Sequence, residues 1–200
     1  MSDTKNTSKI DFDSYVTLQE KGSDWSYGSG WGDAMVEAIK EEYKDTPPGT
    51  LLDVGCGEGR GVKTFVDMGF KATGVDITKE KIDKGINDGL DLHMGDMHSL
   101  PFEDNQFDYV FTSHTLEHAI DIEKAVLECV RVARKEVFII VPIYETKEWV
   151  LANNPAHTSP INLPEEFLSI LDKVVKVYTA KVVTRMCSEL WVRITLDDQK

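Results

Sequence analysis

The segment LLDVGCGEGRG, residues 51–61, constrains the fold of this chain more than any other part of its sequence. Its first residues form a short apolar run that predicts a buried strand, and glycine then occupies every second position from Gly55 to Gly61. Glycine tolerates left-handed backbone and puts no side chain between the main chain and a ligand. Ligands of open α/β sheets bind beyond the carboxyl ends of the strands. The segment therefore predicts a first strand, a ligand-binding turn and a helix.

Apolar strand patterns and amphipathic helix patterns alternate after this turn. Predicted strands cover residues 51–54, 71–77, 90–96, 107–113 and 136–143, and predicted helices cover about 33–43, 59–68, 78–87, 120–134 and a segment that begins at Pro164. The last two strand segments, VVKVYTAKVV and ELWVRITL, have no helix between them, so one of them must be antiparallel. The second alternates in a way that predicts burial mainly on one face.

These patterns predict an α/β fold. The expected architecture is a doubly wound, Rossmann-like sheet of seven mostly parallel strands, with an antiparallel C-terminal hairpin strand and helices on both faces. Residues 31–200 would form this single domain, and residues 1–30 an N-terminal segment that is partly flexible. The aromatic and glycine-rich stretch SDWSYGSGWGD contains Tyr27 and Trp31, which suit either a lid over the ligand or ordinary packing of the first helix.

Charge and composition restrict the partners. The formal net charge of −13 opposes binding to nucleic acid and to anionic membranes, because such binding depends on clustered lysine and arginine. No apolar run approaches the ~20 residues of a membrane span. The N-terminus has no secretory signal, and Cys56, Cys129 and Cys187 have neither disulfide nor metal spacing. We expect a cytoplasmic monomer or homodimer with no membrane partner, for which nucleic acid is an improbable substrate.

The charges around the glycine turn predict the kind of ligand. The dinucleotide fingerprint G-x-G-x-x-G is not met, because its third glycine falls on Arg60. Asp53 and Glu58 flank the glycines, and their charges would repel a pyrophosphate in a partly dry site. A cationic ligand would be attracted instead. The turn therefore favours a positively charged ligand over a nicotinamide dinucleotide.

LLDVGCGEGRG resembles the first motif of the class I S-adenosylmethionine-dependent methyltransferases, especially the small type 11 group. The segments GVDI, GDMHSLPFEDNQFDYV, TLEHAID and AHTSPINLPEEFLSIL are also similar to this group, so the resemblance covers most of the chain from Trp31 onward. S-adenosylmethionine has an ammonium and a sulfonium but no phosphate, in agreement with an acidic turn. The resemblance implies this cofactor, with S-adenosylhomocysteine as the product.

The resemblance also implies roles for individual residues. Asp76 would bind the ribose hydroxyls, Asp96 would accept a hydrogen bond from the adenine amino group, and the Met97 amide would meet the ring. Backbone groups around Ser113 and His114 would border the methionine end. Cys56 is expected to pack within the turn. The full set of predicted cofactor-binding residues is Asp53, Gly55, Cys56, Gly57, Gly59, Asp76, Ile77, Asp96, Met97, Ser113, His114, Leu116, Tyr27 and Trp31.

The histidines are the remaining candidates for chemistry. His114 and His118 are four residues apart and could present two metal ligands on one helix face, but no third ligand is evident, so no metal is predicted. His157 lies in a loop expected to border the pocket and is a candidate for a substrate contact or general base, with His114 as a second candidate. No catalytic residue is assigned, because methyl displacement from a sulfonium depends mainly on alignment.

Two departures from the family pattern are present. VARKEVFIIVPI lacks the usual Pro-Gly-Gly turn before the fifth strand. The fourth strand ends in SHTL and lacks the Asn/Asp-Pro-Pro-aromatic motif of enzymes that methylate amino groups of adenine or glutamine.

The predicted function is methyl transfer to a small-molecule acceptor by in-line displacement. Two alternatives stay open, namely a non-catalytic S-adenosylmethionine-binding regulatory protein and an NAD(P)-dependent oxidoreductase.

Overall fold

The computed structural model describes residues 12–22, 31–154, 156–185 and 187–196. The strands are β1 Thr50–Val54, β2 Lys71–Asp76, β3 Leu92–Met94, β4 Phe107–Ser113, β5 Ala133–Ile143, β6 Tyr178–Thr184 and β7 Ser188–Thr195. The helices are α1 Phe12–Gly22, α2 Trp31–Tyr43, α3 Arg60–Asp67, α4 Lys79–Asn87, α5 Ile122–Val132, α6 Lys147–Asn153 and α7 Pro164–Val174, with a 3₁₀ turn at Leu116–His118.

The seven strands form one sheet in the order β3-β2-β1-β4-β5-β7-β6. β1 is parallel to β2 and β4, β2 is parallel to β3, and β4 is parallel to β5, whereas β7 is antiparallel to both β5 and β6. The predicted doubly wound sheet with its antiparallel hairpin strand is therefore confirmed. The strand order reverses between β1 and β4, and a crevice at their carboxyl ends is where such sheets bind ligands.

Hydrophobic cores cover both faces of the sheet. In β1, Leu51 packs on the face that holds Tyr43 of α2 and Phe65 of α3, whereas Leu52 faces the opposite core with α5 and α7. The Tyr43 and Phe65 rings meet edge to face with their centroids 5.0 Å apart. Because both faces are occupied by the chain's own helices, the strand ends are left for a ligand.

Some predicted boundaries were wrong where one element passes directly into the next. α5 ends at Val132 and β5 begins at Ala133, whereas the sequence predicted a helix to residue 134 and a strand from residue 136. Ala133 already has extended backbone (φ −86°, ψ 142°), so the chain needs no turn glycine there. The third strand is also shorter than predicted, since only Leu92–Met94 pair with β2.

Burial of β7 differs from the prediction. It is buried on both faces, because Lys181 and Arg185 lie over the ring of Trp191, which is 6% exposed. Three further elements were not predicted from the sequence, namely α1, α6 and the 3₁₀ turn. α1 lies within the segment 1–30 and buries Tyr15 completely. Among the described residues, no helix is long and apolar enough to cross a bilayer.

Candidate active site

The turn between β1 and α3 is built on left-handed glycines. Gly55, Gly57 and Gly59 have φ angles of 78°, 56° and 89°. A Cβ on Gly55 would overlap the side chain of Thr115, whereas a Cβ on Gly57 would meet only the Lys81 side chain, at 3.9 Å. The turn therefore packs closely against the chain at Gly55 and presents bare backbone to open space at Gly57.

The amide groups of this turn are occupied within the protein. Gly55 and Cys56 both donate to the Val75 carbonyl, at 2.8 and 3.1 Å, and Gly59 donates to the Cys56 carbonyl at 2.9 Å. Gly57 donates to Oδ2 of Asp76 at 3.0 Å. Phosphate-binding turns direct such amides at the ligand. These four are directed elsewhere, so the turn offers a bare surface and few donors for a phosphate.

A cavity of about 790 Å³ opens beside the turn, at the carboxyl ends of β1, β2, β4 and β5. This volume is within the ordinary range for a small-molecule site. Eight of the residues predicted from the sequence line it: Gly55, Gly57, Asp76, Ile77, Met97, Ser113, His114 and His157. The structure thus brings together segments that are up to about 100 residues apart.

Asp76 is held at the end of β2 by two backbone amides. Its Oδ2 accepts from Gly57 and its Oδ1 accepts from the amide of Thr78 at 2.8 Å. Each carboxylate oxygen can accept a further hydrogen bond. The carboxylate is therefore fixed in position with acceptor capacity toward the cavity that it lines.

Four predicted cofactor residues lie behind the cavity instead of along it. Asp53 is buried beneath the turn against Gly61, and Cys56 points its sulfur toward Gly74. Gly59 faces the leucines of the β3 region, because its left-handed backbone starts α3. The 3₁₀ turn directs Leu116 into the core. The residues concerned are Asp53, Cys56, Gly59 and Leu116.

Asp96 is not among the described residues that line the cavity, and the two aromatic candidates stay predictions. Asp96 is engaged by His98, whose Nδ1 lies 2.6 Å from Oδ1 and whose amide donates to the same oxygen. Its neighbours Gly95 and Met97 line the cavity in its place. Tyr27 lies outside the described residues. Trp31 begins α2, and its side chain also lies outside the described part of the structure.

The charges near the turn are weaker than the sequence analysis assumed. Lys84 pairs with Glu58 at 2.7 Å, and Arg60 pairs with Asp33. Burial, and secondarily the charge of Asp76, raise the pKa of Asp53 to about 7, so Asp53 is only partly ionised at neutral pH. Asp53 and Glu58 therefore do not present the two free charges that were expected to repel a pyrophosphate. The occupied amides, and not two free charges, distinguish this turn from a phosphate site.

His157 lies at the far end of the cavity, beyond β5. Its Nδ1 is 3.0 Å from the Tyr144 hydroxyl, and its Nε2 is 3.0 Å from Nδ2 of Asn154. Burial, followed by the neighbouring His118 and His114, lowers the pKa of His157 to about 3. The ring is therefore neutral at physiological pH and is a weak proton acceptor, which favours a contact role over a general base.

His114 is paired with a buried acid that the sequence analysis missed. Its Nε2 lies 2.9 Å from Oε1 of Glu189, which is 1% exposed, and Oε2 of Glu189 accepts from the Trp191 indole at 2.8 Å. Burial by itself would raise the pKa of Glu189, but these contacts and the charge of Arg185 bring it below its ordinary value. His114 is therefore held by β7.

Glu117 and His118 form a second cluster with His157. One ligand atom from each of the three lies within 4.8 Å of the others. His114 is not part of this cluster, and its Nε2 bonds instead to Glu189 on β7. All three side chains line the cavity.

Other cavity residues could be found only partly from the sequence. Tyr144 directly follows β5, so its position after an apolar strand was a usable signal. Glu189 is an acid within an apolar strand, which also suggested a special environment. Tyr15, Leu18 and Gln19 come from α1, and Gln19 donates to the Ala156 carbonyl at 3.0 Å. Nothing in the sequence placed α1 over the cavity.

Comparison with known proteins agrees with this site. Residues 52–141, which run from β1 into β5, match the family model described as a methyltransferase domain. The chain is 33% identical over 113 residues to ajmaline N-methyltransferase of Rauvolfia serpentina, covering 50% of this chain and 38% of that protein. It is 27% identical over 180 residues to the ubiquinone biosynthesis O-methyltransferase of Rickettsia bellii, covering 79% and 75%.

Solved structures show the same fold. A Thermotoga maritima protein described as a possible histamine N-methyltransferase superimposes with a TM-score of 0.71 at 16% identity, covering 92% of this chain and 99% of that one. The chain spans only about a third to a half of the length of the first curated relatives that it matches. The match over residues 52–141 and the shared sheet fold thus make this part of the chain similar to a methyltransferase domain.

Proposed function

We propose that this protein transfers a methyl group from S-adenosylmethionine to a small-molecule acceptor bound in the cavity. The observation that carries the proposal is the turn at Gly55–Gly59, which exposes bare backbone to the cavity while its amides bond within the protein. Such a surface suits the close approach of an uncharged or cationic nucleoside and offers few hydrogen-bond donors to a diphosphate.

The residues around the turn fit the proposed cofactor. Asp76 would hold the ribose hydroxyls, Met97 would lie against the adenine, and Ser113 and His114 would border the methionine end. Gly57 leaves room for the ligand, because a Cβ there meets nothing closer than 3.9 Å. When bound, S-adenosylmethionine supplies an electrophilic methyl group on a sulfonium.

The acceptor would occupy the end of the cavity lined by Tyr144, His157 and Glu189. These side chains are positioned by hydrogen bonds, which allows them to orient an acceptor for in-line displacement. His157 would act as a contact and not as a base, because its pKa of about 3 makes it a weak proton acceptor. A small acceptor is favoured because one cavity of about 790 Å³ must hold both the cofactor and the acceptor.

The N-terminal segment is the proposed cover of this cavity. In α1, Tyr15 and Gln19 line the cavity, and Gln19 donates to the carbonyl of Ala156, the residue before the cavity-lining His157. Residues 1–30 would thus act as a lid on the domain formed by residues 31–200. The cytoplasmic location and the monomeric or homodimeric state stay predictions.

Calorimetry with S-adenosylhomocysteine tests the cofactor. The Asp76→Asn variant replaces one acceptor by a donor, so we expect about 10- to 100-fold weaker binding. Asp91→Asn is the matched control, because the exposed Asp91 side chain bonds to Thr73 and His93 and is not among the described residues that line the cavity, so this variant should bind as the wild type does. Failure of the wild type to bind the ligand, or tight binding of NAD instead, would overturn the proposal.

Turnover distinguishes an enzyme from a binding protein. Incubation with methyl-labelled S-adenosylmethionine and a panel of phenols, hydroxy acids and amines should yield a labelled small product. Good cofactor affinity with no product from any acceptor would support the regulatory alternative.

A further inference from the structure

Glu117 is a buried acid with an unused oxygen. Its side chain is 1% exposed, and within the described part of the chain its Oε2 has no hydrogen-bond partner. A buried polar atom without a partner is unfavourable and uncommon in native proteins. Glu117 lies in a group with His118 and His157, and one ligand atom from each of the three residues lies within 4.8 Å of the others. The three side chains together present one carboxylate and two imidazoles to the cavity.

The hydrogen bonds of the two imidazoles suit metal binding. Nδ1 of His118 lies 2.9 Å from the Ala156 carbonyl, so it must carry the proton and leave the Nε2 lone pair free. Histidine ligands are commonly oriented in this way by a carbonyl. His157 contacts Tyr144 through one ring nitrogen and Asn154 through the other. An ion would replace one of these contacts, and the other would orient the ring.

The two segments that carry the cluster are fastened together. The amide of Ser159 donates to the Glu117 carbonyl at 2.8 Å, and the Ser159 hydroxyl lies 2.7 Å from the Ala119 carbonyl. The Thr158 hydroxyl lies 2.6 Å from the carbonyl of His118. These bonds hold His157 beside the 3₁₀ turn, so the cluster is assembled by the fold before any ion binds.

We propose that Glu117, His118 and His157 bind one divalent transition-metal ion of the zinc class. Two imidazoles and one carboxylate suit Zn²⁺, Fe²⁺ or Co²⁺ better than Mg²⁺ or Ca²⁺, which prefer oxygen ligands. Ligand atoms about 2.1 Å from a tetrahedral ion lie roughly 3.4 Å apart, so a small closure of the cluster completes the site. Three protein ligands leave a coordination position open toward the cavity.

The metal site restricts the chemical class of the acceptor. This inference rests on the proposed methyl transfer. A hydroxyl bound at the open position would release its proton to solvent more readily, because the ion stabilises the resulting oxyanion. The acceptor would then be a phenol, enol or similar oxygen compound. The competing occupant is a protonated amine held by Glu117 without any metal.

Metal titration tests the site directly. Chelator-treated protein is titrated with Co²⁺, followed by its visible absorption, and with Zn²⁺ in competition with a chromophoric chelator. We expect one ion per wild-type chain, at least about 100-fold weaker binding in Glu117→Gln and in His157→Ala, and no competition from Mg²⁺. His93→Gln is the matched control, because His93 is exposed, contacts Asp91 and lies on β3, the outermost strand of the sheet.

S-adenosylhomocysteine binding, measured on the same samples, separates the two proposals and reports whether each variant is folded. Absence of Zn²⁺ and Co²⁺ binding in a wild type that binds S-adenosylhomocysteine would overturn the metal site and leave the methyltransferase proposal intact. Metal binding that is unchanged in both ligand variants would also overturn it. Loss of S-adenosylhomocysteine binding in the wild type would instead count against the proposed function.

Discussion

Buried carboxylates are paired differently at the two ends of the strands, which we call the amino edge and the carboxyl edge of the sheet. At the amino edge, Asp108 at the start of β4 accepts from the amide of Thr50 at 3.1 Å and pairs with Arg134 and Lys135. At the carboxyl edge, a few residues beyond the end of β4, Oε2 of Glu117 has no partner among the described residues. At the amino edge the carboxylate is paired with the protein's own groups. At the carboxyl edge a carboxylate oxygen is left that a ligand can pair with.

Glycines show the same contrast. Gly57 at the carboxyl edge and Gly89, between α4 and β3 at the amino edge, both have left-handed backbone, with φ of 56° and 85°. Each has space for a Cβ, since nothing lies within 4 Å at Gly89 and only Lys81 lies near Gly57. Of these two glycines, Gly57 lines the cavity and Gly89 does not. The same backbone conformation therefore serves a chain reversal at one edge and a ligand surface at the other.

The largest expected effect comes from filling the turn. Gly57→Val places a branched side chain in the cavity and should weaken S-adenosylhomocysteine binding by at least about 100-fold, close to 3 kcal/mol. Gly89→Val carries the same backbone penalty, about 1–2 kcal/mol of unfolding free energy, and should bind normally. Calorimetry and urea denaturation of both variants provide the measurements. Equal loss of binding in the two would show that backbone strain, and not the cavity, is responsible.

Neutralising the two carboxylates should have effects of opposite sign on stability. Asp108→Asn removes charge-assisted hydrogen bonds and should lower the unfolding free energy at pH 7 by about 2 kcal/mol. Glu117→Gln removes a buried and incompletely paired charge and should raise it by about 1 kcal/mol in the presence of a chelator. Urea denaturation measures both values. A comparable decrease in Glu117→Gln would contradict the distinction between the edges.

The pH dependence of stability should also differ between the edges. Burial by itself would raise the pKa of Asp108, but Arg134, Lys135 and Thr50 hold it well below its ordinary value, so its contribution is present above about pH 4 and is lost as the pH falls. The pKa of Asp53 is raised to about 7, so its contribution is present below about pH 4 and is lost as the pH rises through 7.

Denaturation at several pH values checks this difference. Relative to Asp53→Asn, the wild type should lose about 1 kcal/mol between pH 6 and pH 8. Relative to Asp108→Asn, it should lose its advantage only below about pH 4. A wild-type advantage over Asp53→Asn that grows from pH 6 to pH 8 would show that Asp53 is ionised and stabilised at the carboxyl edge.

The parts of the site that could be predicted lie close to strand ends in the sequence. Gly55 and Gly57 lie within three residues of the end of β1, and Asp76 is the last residue of β2. Parallel strands bring these carboxyl ends to one side of the sheet whatever the loops do. Leu116 was placed incorrectly, because a single 3₁₀ turn decides whether a side chain faces the cavity or the core. Gln19 and Glu189 come from α1 and an antiparallel strand, whose positions depend on long-range packing.

The sequence by itself determined the sheet, its antiparallel hairpin strand and the glycine turn, because apolar periodicity and left-handed glycines act over a few residues. Only the tertiary structure decided which polar groups meet beyond the turn. Glu117 and His118 join His157 through hydrogen bonds between segments about 40 residues apart, and His114 turns instead to Glu189 on β7. No local pattern encodes these pairings, since each depends on where a loop is fastened after the sheet has formed.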